Sequence, residues 1–379
     1  MITWTPSRKD YQNKLQRLDK SPDFAKDKNG VWHKDVFDPD VAKDAMDDFN
    51  AHFQQDNGGP YAPDSEIMKR TKNHPTDDAS EAAYRWRAQM GSSSLDLSNH
   101  VTVTKIYTDD DEKIPISVYT PELADPNESL GAIIAFHGGG WLGGNVLVNE
   151  HFCKYMAEIA RVRVFNVDYR LAPEFPAFTG VNDCYHATMW IIEHAEKLHV
   201  DLSLVAVYGD SSGANNAAVV AYMDRANGNH YITNQFMAYP CESLDPATQA
   251  KYDWPEDKYN MDSLMQQRYQ KDTLFSVKGK QLLQKVYVGK EDPTDPRISP
   301  LNMSDDMMAK MPPALIATDE FDPLRPQGYG YAQRLAENGV SAHYINYKGM
   351  THAFLDKFGI FPQGEHFAWE AAHWLHSGK

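Results

Sequence analysis

The stretch Leu204 to Asn216, reading LVAVYGDSSGANN, restricts the possible folds more than any other part of the chain. A run of β-formers stops at Gly209, and small residues then open a helix around Gly209-Asp210-Ser211-Ser212-Gly213. A strand that reverses into a helix so abruptly leaves no room for side chains on the flanking positions, so glycine is needed there. The central serine of G-x-S-x-G then stands at the tip of a strand with its hydroxyl outward, as a nucleophile would. An ordinary turn would produce the same letters. The strand before and the helix after weigh toward the tight turn.

A second stretch points the same way. The apolar run Leu130 to Phe136 leads directly into His137-Gly138-Gly139-Gly140-Trp141-Leu142-Gly143-Gly144. Consecutive glycines after a buried strand let backbone N–H groups face a ligand without obstruction. Such a loop can cradle phosphate or stabilise an oxyanion. The phosphate reading wants G-x-x-x-x-G-K-[ST] or G-x-G-x-x-G opening a helix, and neither is present in this loop. An HGGG run upstream of G-x-S-x-G fits the oxyanion reading.

Between and beyond these turns, strand-like and helix-like segments alternate. Strands are expected at 101–107, 114–119, 130–136, 162–169, 232–239, 312–318 and 342–347, besides the serine strand. Helices are expected at 150–160, 182–198, 327–338 and 365–375, the last carrying Trp369 and Trp374 and covering one sheet face. Alternation of this kind implies a mostly parallel sheet with right-handed crossovers. Ligands gather at the carboxyl ends of its strands, where both glycine-rich turns fall. Two later strands end at Asp319-Glu320-Phe321-Asp322-Pro323-Leu324 and at Gly349-Met350-Thr351-His352-Ala353-Phe354. The chain order Ser, Asp, His is that of the α/β-hydrolase arrangement.

The remaining segments carry less. Residues 1 to about 100 are polar and acid-rich, with helical spacing in Val41, Ala45, Phe49 and Phe53, and read as a mobile extension or a helical cover over a cleft. The acidic run Thr108 to Lys113 lacks the ligand spacing of a calcium loop and reads as a hairpin tip. Residues 242–311 interrupt the alternation with Trp254, Tyr259, Met261, Met265, Tyr269 and Phe275, as a helical excursion or a contribution to a lid.

A formal net charge of −16 argues against a nucleic-acid partner, because phosphate backbones need clustered Lys and Arg. Cys153, Cys184 and Cys241 are odd in number and widely spaced, which indicates neither a disulfide framework nor a metal site. No apolar amino-terminal segment or membrane-length run is visible, so a cytoplasmic protein without a membrane partner is expected. Homo-oligomerisation is left open.

Taken together, HGGGW at 137–141, DYRLAPE at 168–174, GDSSG at 209–213, DEFDPL at 319–324 and THAF at 351–354 resemble the hormone-sensitive lipase family of α/β-hydrolases, also called family IV esterases. The resemblance runs from roughly residue 100 to the end. It implies an α/β-hydrolase domain over 101–379, with residues 1–100 as an amino-terminal cap to which 242–311 contributes. It further implies Ser211 as nucleophile, His352 as general base and Asp322 as the acid that orients it. Oxyanion donors would be the backbone N–H groups of Gly139, Gly140 and Ser212, where many members have alanine at the position of Ser212. Trp141 and Asp210 are carried as candidate substrate-binding positions, Trp141 alternatively anchoring the rim of the cleft.

Asp319 and Glu320 compete for the role of the acid, as surface charges or as partners of the base. Of 15 histidines, His343 within a strand and His137 beside the glycine loop read as structural, and Asp168, Arg170 and Glu174 as loop-fixing residues. The implied activity is hydrolysis of small or short-chain esters through an acyl-enzyme, with no metal or organic cofactor. A catalytically silent binding protein on the same scaffold and an amidase are the alternatives. Silent relatives lack the triad histidine, whereas His352 is present here.

Overall fold

All seven residues of Leu130–Phe136, sequence LGAIIAF, are buried, which is what an apolar run without polar alternation achieves when helices cover both faces of a sheet. The computed structural model describes residues 75–87, 94–125, 127–254 and 274–377. Its strands are β1 (Val101–Tyr107), β2 (Pro115–Pro121), β3 (Leu130–Phe136), β4 (Arg163–Val167), β5 (Val200–Asp210), β6 (Asn234–Ala238), β7 (Ala314–Phe321) and β8 (Ala342–Thr351). They form one sheet in the order β1-β2-β4-β3-β5-β6-β7-β8. The hairpin β1–β2 and the pair β2–β4 are antiparallel, and every other pair is parallel. The mostly parallel sheet is the one expected from the alternation of elements, and the fold is the α/β-hydrolase fold that the resemblance implies.

The two faces of the sheet separate by residue parity, as strand geometry requires. Ala132, Ile134 and Phe136 of β3 join Val205 and Val207 of β5 in one core, while Ile133, Ala135, Ala206 and Tyr208 join the other. The first core is closed by helices Thr179–Glu193, Ser212–Ala226 and Arg325–Glu337, and the second by Glu150–Ile159 and Pro362–Ser377. Ala214, Ala217, Ala218 and Ala221 bring the helix after Ser211 close to the sheet, and all are fully buried.

Element boundaries differ from the sequence expectation in places. The helix expected over 182–198 runs from Thr179 to Glu193. Within the last helix, Phe367, Ala368, Ala371 and Leu375 face the sheet at helical spacing, so Trp369 falls on the outer side and is 61 % exposed. The acidic tip between β1 and β2 is built by turn chemistry. Asp110 Oδ1 accepts the N–H groups of Glu112 and Lys113 and the Thr108 hydroxyl. Among the described residues no cluster of three or more metal-ligating side chains occurs, and no helix is long and apolar enough to cross a membrane. Cys153, Cys184 and Cys241 are buried and free.

After β3 the chain moves outward to β4 and then crosses back over β3 to lay down β5 on its other side. The direction of winding therefore reverses between β3 and β5, and a crevice opens at their carboxyl ends. A third, smaller apolar cluster lies among residues from the loops and short helices, joining Ala79 and Ala83 to Trp141, Leu142, Leu244, Leu274 and Tyr287. The helical pattern at 41–53 and the aromatic and methionine positions 259, 261, 265 and 269 lie outside the described residues.

Candidate active site

Ser211 sits between β5 and the helix Ser212–Ala226 with φ 53° and ψ −118°, a left-handed backbone that a residue with a Cβ adopts only under constraint. Several contacts hold it there. The Ser211 N–H donates to Ala238 O at 2.9 Å, and the Ser211 carbonyl accepts from Ala214, Asn215 and Cys241. The flanking glycines are needed for space: a Cβ on Gly209 would lie 2.1 Å from Gly213 O, and one on Gly213 would lie 2.1 Å from Phe136 O. The tight turn read from G-x-S-x-G is therefore present, with the Ser211 side chain half-buried at the crevice.

Sheet register brings the other two groups together. Phe321 of β7 pairs with Thr351 of β8 across an irregularity after Asp319, so the next residues, Asp322 and His352, leave the sheet side by side. His352 Nδ1 lies 2.8 Å from Asp322 Oδ2, and His352 Nε2 lies 3.0 Å from Ser211 Oγ. The carboxylate can only accept from Nδ1, so Nε2 is left with a lone pair toward the serine hydroxyl. Asp322 is fully buried, and its other oxygen accepts the Leu324 N–H at 2.8 Å. The rings of Tyr239 and Phe275 meet the imidazole edge-on at 4.9 and 4.7 Å.

The rival carboxyls go elsewhere. Glu320 Oε2 accepts the Gly349 N–H at 2.9 Å. Asp319 is fully buried, and among the described residues neither of its oxygens has a hydrogen-bond partner. Burial, with the Asp322 charge as the second cause, pushes the Asp319 carboxyl well above the usual carboxylate range. His343 on β8 lies 4.0 Å from Glu370.

The glycine loop faces Ser211 across the crevice, with φ 131° at Gly139, 58° at Gly140 and 59° at Trp141. Its base is tied down by polar groups. The Gly138 N–H donates to Asp210 Oδ1 at 3.0 Å, and a Cβ on Gly138 would lie 2.3 Å from the other carboxylate oxygen. Burial pushes the Asp210 carboxyl up to about 7, opposed by the Gly138 hydrogen bond and by His352. His137 stacks on Tyr169 at 4.4 Å and donates from Nδ1 to Gly138 O at 2.7 Å, and burial pushes its pKa down to about 4. Trp141 is 2 % exposed, stacked on Tyr287 at 4.6 Å with its indole N–H toward Asn216 Oδ1. Trp141 and Asp210 are thus buried behind the loop.

A family model described as the alpha/beta hydrolase fold matches residues 133–356, more than half of the chain. The chain belongs to the hormone-sensitive lipase family of α/β-hydrolases. It is 32 % identical over 247 residues to an arylesterase of Saccharolobus solfataricus, covering 65 % of this chain and 74 % of that one. It is 33 % identical over 251 residues to carboxylesterase NlhH of Mycobacterium tuberculosis, covering 66 % and 73 %. A hyperthermophilic esterase from Pyrobaculum calidifontis superposes with a TM-score of 0.67 at 27 % identity, covering 90 % of this chain and 99 % of the other.

Other side chains of this α/β-hydrolase at the crevice escaped sequence reasoning. Arg87 forms a two-pronged pair with Glu174, at 2.9 and 2.8 Å, and also donates to the carbonyls of Ala172 and Leu142. It thereby ties the helix Asp78–Arg87 to the loops after β4 and after the glycines. Nothing local marks Arg87, because its partner lies 87 positions along the chain. Leu274 Cδ1 lies 2.2 Å from where a Cβ on Gly140 would stand, so the loop glycine also makes space for the segment before Phe275. Arg170 binds Asp183 through two nitrogens and so fixes its loop, as Glu174 does.

Proposed function

We propose that this hydrolase is a serine-dependent carboxylic ester hydrolase acting on small or short-chain acyl esters through an acyl-enzyme. The observation that carries the reading is the continuous contact from Ser211 Oγ to His352 Nε2 at 3.0 Å and from His352 Nδ1 to Asp322 at 2.8 Å. A serine hydroxyl is a weak nucleophile near neutral pH, and a neutral imidazole within bonding distance remedies this. As Ser211 Oγ attacks the ester carbonyl carbon, its proton passes to His352 Nε2, and Asp322 stabilises the imidazolium without taking the proton. The carbonyl electron pair moves onto oxygen, where the N–H groups of Gly139, Gly140 and Ser212 receive it. Each such donor contributes about 3 kcal/mol to the transition state. Collapse re-forms the carbonyl and expels the alkoxide, which takes the proton from His352. Water, deprotonated by the same imidazole, then releases the acid and returns the proton to Ser211.

The helix Asp78–Arg87 and the segment at Leu274 and Phe275 serve as parts of a cover over this centre, in keeping with a cap drawn from residues 1–100 and 242–311. Their shared apolar cluster supports that role, and the crowding of Gly140 by Leu274 and of His352 by Phe275 favours a short acyl group. Trp141 and Asp210 act from behind the loop, positioning it. The enzyme works in the cytoplasm on a small ester, and its charge of −16 disfavours polyanionic partners. A silent binding protein is the second reading, and the presence of His352 within reach of Ser211 speaks against it.

The test is to treat the full chain with a fluorophosphonate and follow p-nitrophenyl acetate and butyrate turnover. Labelling at Ser211 with parallel loss of ester turnover is expected. Absence of both labelling and turnover in the folded protein would overturn the reading.

A further inference from the structure

The bonds from His352 Nδ1 to Asp322 and from Nε2 to Ser211 Oγ define one line through the imidazole. They do not stop the ring from rolling about that line, because the torsion that turns it is broad and soft. Two aromatic rings supply the missing restraint. Tyr239 meets the imidazole with centroids 4.9 Å apart and planes at 65°, and Phe275 with centroids 4.7 Å apart and planes at 75°. The two come from different parts of the molecule. Tyr239 is fully buried directly after β6, and its N–H donates at 2.6 Å to Ala317 O of β7, so it is fixed to the sheet. Phe275 is half-buried and lies just before the helix Val277–Leu283, whose first turn is capped by the Ser276 hydroxyl accepting the Gly279 N–H at 3.0 Å. The same segment also reaches the glycine loop. Leu274 fills the space that a Cβ on Gly140 would need, and Tyr287, beyond that helix, stacks on Trp141 at 4.6 Å.

Resting on the esterase reading above, we infer that Phe275 is a positioning residue for the general base. Its ring stops the His352 imidazole from rolling, and the segment 274–288 thereby holds the base in register with the glycine loop. The need is greatest half-way through the cycle. Once Ser211 Oγ carries the acyl group it has no proton to share, and the imidazole loses one of its two bonds. It then keeps its direction through Asp322 and side-chain packing, at the moment when Nε2 must take a proton from the attacking water. A base has to lie within hydrogen-bond reach of the proton that it takes, so a rolled ring slows this step directly. Phe275 therefore acts on breakdown of the acyl-enzyme more than on its formation, during which Ser211 still holds Nε2 in place.

Phe275→Leu keeps the apolar bulk and removes the ring, and Phe275→Tyr restores the ring. In stopped-flow measurements with p-nitrophenyl acetate and butyrate, breakdown of the acyl-enzyme slows about tenfold in Phe275→Leu, the loss that one aromatic contact of ordinary strength accounts for. The factor is the same for both esters, and most of it is recovered in Phe275→Tyr. Because the acyl-enzyme still forms, kcat falls more than kcat/KM, and KM falls with it. A raised KM with unchanged kcat, a loss that depends on acyl length, or equal losses in the two variants overturns the inference while leaving the esterase reading intact. A second readout needs no turnover. Exchange with solvent of the proton between His352 Nδ1 and Asp322, followed by NMR, accelerates in Phe275→Leu and returns toward the parent value in Phe275→Tyr. Unchanged exchange overturns the inference even if the protein proves to hydrolyse no ester. An inactive parent protein with accelerated exchange in Phe275→Leu retains the positioning role and defeats the esterase reading instead.

Discussion

Two regions meet at the crevice and are held by different physics. The Ser211–His352–Asp322 centre is positioned by backbone: a turn squeezed between Gly209 and Gly213, and a β7–β8 register that sets Asp322 beside His352. The segments proposed as its cover are positioned by side chains, with Arg87 clasping Glu174 and a small apolar cluster joining Ala79 and Ala83 to Trp141 and Leu274. A backbone-built centre inherits the stability of the whole sheet. A side-chain-built cover depends on a few contacts, and can loosen while the sheet stays intact.

The comparison breaks most directly at the serine. Ser211→Ala should lower kcat on p-nitrophenyl butyrate by about 10⁵-fold or more while thermal unfolding stays near the parent value. A retained rate would remove the centre from the reading altogether. Next in size, Asp322→Asn should lower kcat by about 10⁴-fold, because an amide favours the wrong imidazole tautomer. Asp319→Asn should leave kcat near the parent value, since burial already disfavours the charged form of Asp319 and its oxygens make no hydrogen bond among the described residues. The reverse pattern in steady-state rates would move the acid to Asp319.

On the cover side, Arg87→Ala leaves the Glu174 carboxylate, 1 % exposed, buried without its cation. Breaking such a pair costs about 3 kcal/mol. Limited proteolysis should show cleavage near residue 87 well before the sheet opens, with KM raised more than kcat is lowered. Simultaneous loss of both regions would erase the distinction between them. A further test leaves the rate aside and concerns Asp210, which burial pushes from 3.8 to about 7. For an acid raised in the folded state, the native protein binds the proton more tightly, so the associated stability is full below about 4 and is lost as pH climbs through about 7. Asp210→Asn removes that titration. In urea unfolding, the parent should therefore lose stability relative to Asp210→Asn between pH 4 and 7 and run parallel above it.

Much of this was legible before any coordinates. Strand and helix alternation predicts the sheet because the buried strands are apolar without interruption, as in LGAIIAF, and the glycine spacing around Ser211 leaves one backbone solution. The last helix was expected to cover a sheet face and does so through Phe367, Ala368, Ala371 and Leu375, whose helical spacing leaves Trp369 on the outer side. Leu274 and Phe275 were visible as apolar residues in an excursion, with nothing local to say that they lie over Gly140 and beside His352. Ser212 was legible only as a serine where many members of the family have alanine. The bond of its hydroxyl to the Trp141 N–H exists because β3 and β5 are neighbours in the sheet.

The amino-acid order by itself determined the class of fold, the tight turn at Ser211, the glycine loop and the presence of an acid and a histidine at the ends of successive strands. These depend on periodicity and on where a Cβ can fit, both of which are local properties. Only the tertiary structure decided between Asp319, Glu320 and Asp322 as the carboxylate that faces His352, and what Arg87 grips. Hydrogen-bond partners far apart in the chain are chosen by strand order and register, and burial then makes those few contacts matter.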